Sequence, residues 1–342
     1  MRQLTFTGPG RVEWSDAPAP RLGDQNSALV RPLAVARCDL DVRMVTEALF
    51  PGPYPVGHEM VAEVVEAGDA VRRHRPGDRV LVPFQISCGT CPACLARHFA
   101  ACHTYRAPAG AAFGFGKAGG GHGGAVSDLL AVPCADHLLI TAPSDVPAEI
   151  LCTLPDNVVD GYRAVAPHLE ARPGADVLVV GAAGPSIGLY SVAAAAALGA
   201  SAIRYVDSDG ERCHIAEQLG AEAIHHTGPW PRRFPRAAIT VSNTDEPEGL
   251  ATALRSTDDY GTCTCTAIFF GQQPSLPLLE MYTKGVTLHL SRADSRRYTP
   301  EVVGLAADRR LHTRAVTTKI AEWDDAPDAW LVPATKLVLV RN

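Results

Sequence analysis

The chain has 342 residues, of which 46% are hydrophobic and 20% charged, and it carries a net charge of −6. Such a composition supports a large core and excludes disorder, and the length exceeds what one core fills, so two domains are expected. The negative balance gives no electrostatic reason to bind nucleic acid or anionic membrane.

The opening "MRQLTFTGPGRVEW" lacks the apolar stretch of a signal peptide. The most apolar helical segment, "SIGLYSVAAAAALGA" (186–200), is too short to span a bilayer. Ten cysteines without an export signal point to thiols and metal sites rather than disulfides, and the expected compartment is the cytoplasm.

Residues 1–150 read as short strands broken by Gly and Pro, among them "ALVRPLAVA" (28–36), "EMVAEVVEAG" (59–68) and "DRVLVPF" (78–84). This pattern predicts a barrel-like β domain. "AAFGFGKAGGGHGGAVSD" (111–128) is too glycine-dense for the interior of a regular element and reads as a flexible surface loop.

Near residue 172 the pattern changes. "PGADVLVVGAAG" is the continuous apolar run of a strand buried on both faces. A helix over 185–200, a strand over 201–208 and a helix over 210–221 follow, and this alternation predicts a doubly wound parallel sheet. Further strands are expected at 237–243, 262–270 and 285–290, whereas the proline-rich "HHTGPWPRRFPR" (225–236) should replace a helix with a loop.

"CGTCPACLARHFAAC" sets Cys88, Cys91, Cys94 and Cys102 at gaps of two, two and seven residues. Short gaps turn successive thiolates toward one point, and the longer one lets the chain return to close a tetrahedron around Zn²⁺. His98 and His103 could compete as ligands, but a four-thiolate set needs neither. The lobe, about residues 86–104, carries one arginine and no lysine, which argues against a nucleic-acid-binding ribbon.

The cysteine cluster, "GHE" at 57–59, "GDRV" at 77–80 and the later βαβ unit occur in one order. Together they resemble the zinc-dependent alcohol dehydrogenases of the medium-chain dehydrogenase/reductase superfamily, over nearly the whole chain. The resemblance implies an α/β protein with a GroES-like β-barrel catalytic domain (1–150) and a Rossmann doubly wound parallel-sheet domain (151–290). The remaining stretch, 291–342, would return to the catalytic domain. It implies a homo-oligomer, tetramer or dimer, acting on a small molecule, and two zinc ions per chain.

By the same resemblance, Cys38 and His58 ligate a catalytic zinc, Glu59 can approach or exchange onto it, and Asp156 of "PDNVVDGYRAV" is the third ligand. Asp41 matches the aspartate that orients the ligating histidine. Three protein ligands leave a position for substrate oxygen, where the metal acts as a Lewis acid and eases hydride loss to nicotinamide.

The family fingerprint G-x-G-x-x-G is altered here to "GAAGPSIG", with Gly181, Gly184 and Gly188 kept and Ala183 where the second glycine would fall. Pro185, Ser186 and Ile187 open the next helix, whose N-terminal amides should face phosphate. Asp207 follows Gly188 by nineteen residues, the spacing of a carboxylate that binds the adenosine ribose, so NAD(H) is preferred over NADP(H). Arg212 matches a basic family position near that ribose, and Arg204 and Arg212 leave room for NADP.

The family commonly reads Cys-x-Ser/Thr-Asp-x-His, in which the hydroxyl and the second histidine pass the alcohol proton to solvent. Here those positions are Leu40 and Arg43, and leucine can neither accept nor donate a proton. Three readings follow. The proton leaves by water or another group, with Asp160 a candidate; or the chain reduces a conjugated C=C; or it is a non-catalytic relative. Phe84 matches a family pocket position, Leu40 adds an apolar wall, and Phe50 and Tyr54 lie on a plausible rim, which favours an apolar or aromatic alcohol, aldehyde or enal.

Overall fold

A computed structural model describes residues 1–181 and 183–341. In chain order its strands are β1 (Arg2–Gly8), β2 (Arg11–Asp16), β3 (Ala28–Ala36), β4 (Tyr54–Pro55), β5 (Glu59–Ala67), β6 (Arg79–Val82), β7 (Leu130–Val132) and β8 (Ile140–Thr141). Then come β9 (Val177–Val180), β10 (Ile203–Asp207), β11 (Glu222–His225), β12 (Ala237–Ser242), β13 (Thr257–Cys265), β14 (Thr287–Leu290), β15 (Lys319–Glu322) and β16 (Leu337–Val340). Two compact units are present: Met1–Val159 with Asp294–Ala307 and Thr317–Asn342, and Asp160–Ala293 with Asp308–Val316.

In the first unit a sheet runs β15-β16-β3-β5-β6-β8, with β7 also paired to β3, beside a small sheet β2-β1-β4. β3 is buried along most of its length although Pro32 cannot donate to the ladder; a register shift between Pro32 and Ala34 accommodates it. The apolar faces of β3, β5 and β6 close on one core with Phe6, Met60, Phe113 and Trp330.

The antiparallel register sets Ala36, the last residue of β3, opposite Glu59, the first of β5. Cys38, two residues past β3, and His58, one before β5, are therefore delivered to the same end of the ladder. This pairing positions the site.

In the second unit six parallel strands run β11-β10-β9-β12-β13-β14. Val177–Val180 at its centre is fully buried, as expected of a strand covered on both faces, and each such side chain contributes about 1.5–3 kcal/mol by burial. The flanking helices span Ile187–Ala197 and Gly210–Gln218, shorter than the predicted 185–200 and 210–221. No helix forms over 226–236.

Two expectations are corrected. The strand expected at 262–270 lies at Thr257–Cys265, because β13 must reach back to pair Thr257 with Ala237 of β12. The glycine-dense stretch 111–128 is not a flexible surface loop: Ala111–Phe115 and Gly124–Ser127 are buried. Its glycines let the backbone lie against β4 and the turn before β5, where an added Cβ at Gly114 would stand 2.6 Å from the Gly57 oxygen. Among the described residues, no helix is long and apolar enough to cross a membrane.

Candidate metal and nucleotide sites

Cys38, His58, Glu59 and Asp156 come together with one donor atom each, all within 4.8 Å of one another and all buried. Asp156 arrives on a turn of π-helix, Leu154–Val158, which re-aims the backbone just before the helix Val159–Ala171. The Ser295 hydroxyl donates to the Pro155 oxygen and the Ser295 amide donates to Gln85 Oε1 at 2.9 Å, so the turn is tied on both sides.

His58 Nε2 lies 3.2 Å from Asp156 Oδ2, and its Nδ1 lies 3.5 Å from Asp41 Oδ1. The second separation is an ion-pair distance, not a hydrogen bond, and Nδ1 is one of two buried polar atoms of the cluster without a hydrogen-bond partner, the other being Glu59 Oε2. Asp41 is anchored by the Cys38 amide, which donates to Oδ2 at 2.9 Å.

Burial lowers the His58 imidazole, but the Asp41 and Asp156 carboxylates outweigh it and raise the group to about 9. Burial also pushes the Cys38 thiol and the Glu59 carboxyl upward, each reinforced by Asp156. A thiol, an imidazole and two carboxylates gathered away from water fit a divalent cation, which would supply the missing positive charge and give the unpartnered Glu59 Oε2 a partner. The donor set of sulfur, nitrogen and oxygen suits Zn²⁺.

Cys88, Cys91, Cys94 and Cys102 form the second donor cluster, and all ten cysteines of the chain are free. Sulfur separations of 3.9 Å join Cys88 to Cys94 and Cys91 to Cys102. The Thr90 and Cys91 amides and the Thr104 hydroxyl donate to Cys88 Sγ, and these bonds overcome partial burial to lower that thiol to about 5. The His103 amide donates to Cys91 Sγ. Amide-to-sulfur bonds of this kind stabilise thiolates held for a metal.

Three phenyl rings wall the first cluster. The His58 ring is flanked by Phe84 at 5.2 Å and Phe115 at 5.1 Å, and Phe50 packs on Phe115 at 5.6 Å. Leu40 is half-buried against the apolar core of the unit, and Arg43 pairs with Glu47 at 2.8 Å.

Residues 24–143 match the alcohol dehydrogenase GroES-like domain. A protein of Mycobacterium tuberculosis named probable zinc-binding alcohol dehydrogenase is 29% identical over 337 residues, which cover 95% of this chain and 83% of that one. A medium chain reductase/dehydrogenase of an Acremonium species is 30% identical over 230 residues, which cover 66% of this chain and 75% of its relative. This chain belongs to the zinc-type alcohol dehydrogenases of the medium-chain dehydrogenase/reductase superfamily. The alcohol dehydrogenase of Thermus sp. ATN1 superposes with a TM-score of 0.90 at 26% identity, each chain covered over 100% of its length.

The protein is thus a zinc-dependent, alcohol dehydrogenase-like oxidoreductase with two candidate zinc sites. In its Rossmann-like unit Gly181 follows β9, where an added Cβ would stand 2.7 Å from Asp207 Oδ2 and 2.8 Å from the Tyr205 hydroxyl. The Ala183 amide donates to the Asn243 backbone oxygen and the Gly184 amide to its side-chain oxygen. Pro185 and Ser186 lead into the helix that starts at Ile187, and Gly188 packs on the Tyr205 ring.

Asp207 ends β10 buried, with four donors on its two oxygens. Arg212 Nε and Nη2 bond it at 2.9 and 2.6 Å, the Tyr205 hydroxyl at 2.5 Å and the Asp209 amide at 2.9 Å. Asp207 and Arg212 are therefore joined to each other. Arg204 instead faces Asp176 and Glu222. Asp160 is buried and committed to Arg163 at 2.5 Å, whose guanidinium also reaches Ser291, so its carboxylate is not held as an open proton acceptor.

Three residues around the metal site, Lys336, Asn157 and Phe115, have no counterpart in the sequence reading. Lys336, fully buried on the last strand's approach, pairs with Glu59 Oε1 at 2.7 Å. Asn157 accepts from Lys336 and contacts Cys38. Asn157 could have been suspected beside Asp156, and Phe115 from the glycines on either side of it; nothing local marks Lys336.

Proposed function

We propose that the enzyme transfers hydride between NAD(H) and a small apolar or aromatic alcohol or carbonyl compound. The observation that carries this is the buried Cys38–His58–Glu59–Asp156 cluster walled by Phe50, Phe84 and Phe115. In this reading Cys38, His58 and Asp156 hold zinc and Glu59 can exchange onto it. Zinc supplies a Lewis acid for the substrate oxygen. Asp41 orients His58, the phenyl rings exclude water and offer no hydrogen bonds to a polyol, and Lys336 anchors Glu59 through Oε1 while Glu59 Oε2 is left for exchange onto the metal.

On the nucleotide side, Gly181, Gly184 and Gly188 open the turn, Pro185 leads into the helix, and the amides at Ser186 and Ile187 begin its phosphate-facing end. The Asp207–Arg212 pair forms the ribose edge, and the reading of NAD(H) over NADP(H) rests on Arg212 being committed to Asp207 rather than held out for a 2′-phosphate.

A second reading rests on Leu40. With an apolar side chain at the position of the relay hydroxyl and Arg43 tied to Glu47, no relay side chain delivers a proton to a carbonyl oxygen, and conjugate reduction of an enal or enone becomes the alternative. The deciding assay supplies NADH with ketones, aldehydes and enals and identifies the reduced bond. Alcohol products support carbonyl reduction, and saturated aldehydes from enals support the alternative. If the native reaction is carbonyl reduction by water-mediated proton transfer, Leu40→Ser should change kcat by less than about threefold. A gain of tenfold or more in alcohol oxidation would show that the native chemistry lies elsewhere.

The enzyme is further proposed to be a homo-oligomer. β14 is an outer strand of the six-stranded sheet, and near it Tyr260, Leu278, Leu279, Tyr282 and Leu290 are exposed, Tyr282 to 86%. An open sheet edge beside apolar side chains is self-complementary about a two-fold axis, which favours a second copy as its occupant. Tyr282→Glu should lower the mass measured by light scattering to that of a smaller species; an unchanged mass would remove this face from the assembly.

A further inference from the structure

Asn157 is only 1% exposed and touches two of the four donor residues directly, Cys38 and Asp156. Its side-chain oxygen accepts from Lys336 Nζ at 2.6 Å and from the Asp39 amide at 3.1 Å. An ammonium and an amide N–H can only donate, so this end of the carboxamide must be the oxygen. The NH₂ end is thereby turned toward Cys38 Sγ and Asp156 Oδ2, each at 3.3 Å. Lys336 in turn bonds Glu59, so one amide connects three of the four donor residues, one of them through the lysine.

We propose that Asn157 is a positioning residue for the zinc site: it holds the Cys38 sulfur in place and draws charge from it through an N–H···S bond, with Lys336 fixing the direction of the amide. Less charge donated by sulfur leaves the metal a stronger Lewis acid toward substrate oxygen. A carboxylate of the same shape at 157 could keep the contacts to Lys336 and Asp39 but could not donate to the thiolate. Asn157→Asp therefore separates the donor role from the packing role, which Asn157→Ala removes together.

The inference rests on Cys38 and Asp156 being metal ligands, and the test is arranged to separate the two failures. The full-length protein is loaded with Co²⁺, and the near-ultraviolet sulfur-to-cobalt band belonging to Cys38 is isolated by subtracting the spectrum of Cys38→Ser. A hydrogen bond lowers the energy of sulfur lone pairs, so losing it moves that band to longer wavelength. Asn157→Asp and Asn157→Ala should both show that displacement. Chelator competition should show zinc held roughly 10–100-fold more weakly in Asn157→Ala, the usual scale for groups that support ligands. An oxygen at the amide nitrogen's place faces Cys38 Sγ and Asp156 Oδ2 at 3.3 Å, so Asn157→Asp is expected to lose stability, and far-ultraviolet circular dichroism of both cobalt-loaded variants is recorded with the band to show that the shift is read on folded protein. If both variants keep the band position and a zinc affinity within twofold of the parent, the proposal is overturned. If the protein with Asn157 intact shows no Cys38-dependent band, the ligand reading itself has failed, and the proposal with it.

Discussion

Cys38→Ala is expected to lower bound zinc from two ions per chain to one and to cut hydride transfer by about 10³-fold or more. The scale follows from the several kcal/mol that a Lewis-acid metal contributes to a charged transition state, at about 1.4 kcal/mol per factor of ten. The fold should survive, because Cys38 lies past the end of β3 and the ladder of that strand with β5 and β16 does not use its side chain. Three checks apply together: metal analysis, single-turnover hydride transfer and far-ultraviolet circular dichroism. Retention of two zinc ions with full turnover would remove Cys38 from the catalytic set. Purification must be free of chelator, since loss of the same ion from the parent would imitate the variant.

The second large effect belongs to the lobe. Cys94 is buried, and its sulfur faces that of Cys88 at 3.9 Å. With few apolar side chains of its own, the segment depends on metal binding for its folding, and binding free energy at such sites is folding free energy. Cys94→Ser should release the structural ion and lower the melting temperature by about 10 °C, taking a loss of about 4 kcal/mol at about 2–4 °C per kcal/mol for a unit of this size. The lobe is not isolated from the rest of its unit. Asp294 accepts from the Phe99 and Ala100 amides, and His137 packs its ring on Phe99 while bonding Ser87. Disorder there should therefore spread toward the Asp156 turn and lower activity secondarily. An unchanged melting temperature with two zinc ions retained would overturn the structural assignment of the lobe.

The two predictions differ in how far a sequence alone could carry them. The Cys88–Cys102 cluster is legible because its ligands lie within fifteen residues and the gaps themselves dictate convergence. The parallel-strand core Val177–Val180 is legible from its unbroken apolar run, and β3 and β5 from their bounds between glycine and proline punctuation. Family order placed Cys38, His58, Glu59 and Asp156 in one set, and the fold brings their donors within 4.8 Å. The glycine-dense segment misled because glycine reports permissive backbone, not location. Here that freedom is used for close packing around Gly57 and Tyr54, which carries Phe115 to the His58 ring. Asp207 was legible as a strand-end carboxylate, but its saturation by Arg212, Tyr205 and the Asp209 amide was not.

By itself, then, the amino-acid order determined the chemistry available: four thiols at zinc spacing, a second cysteine–histidine–carboxylate set, a glycine turn after a buried strand, and a leucine where a relay hydroxyl would stand. These follow from side-chain type and from distances of a few residues, over which covalent geometry governs. Tertiary structure alone decided which groups complete the sites. Lys336 reaches Glu59 across 277 residues of chain and Asn157 across 179. Such pairings depend on how β16 packs against β3 and how the barrel core closes, because a buried ammonium is tolerated only where folding supplies its partners.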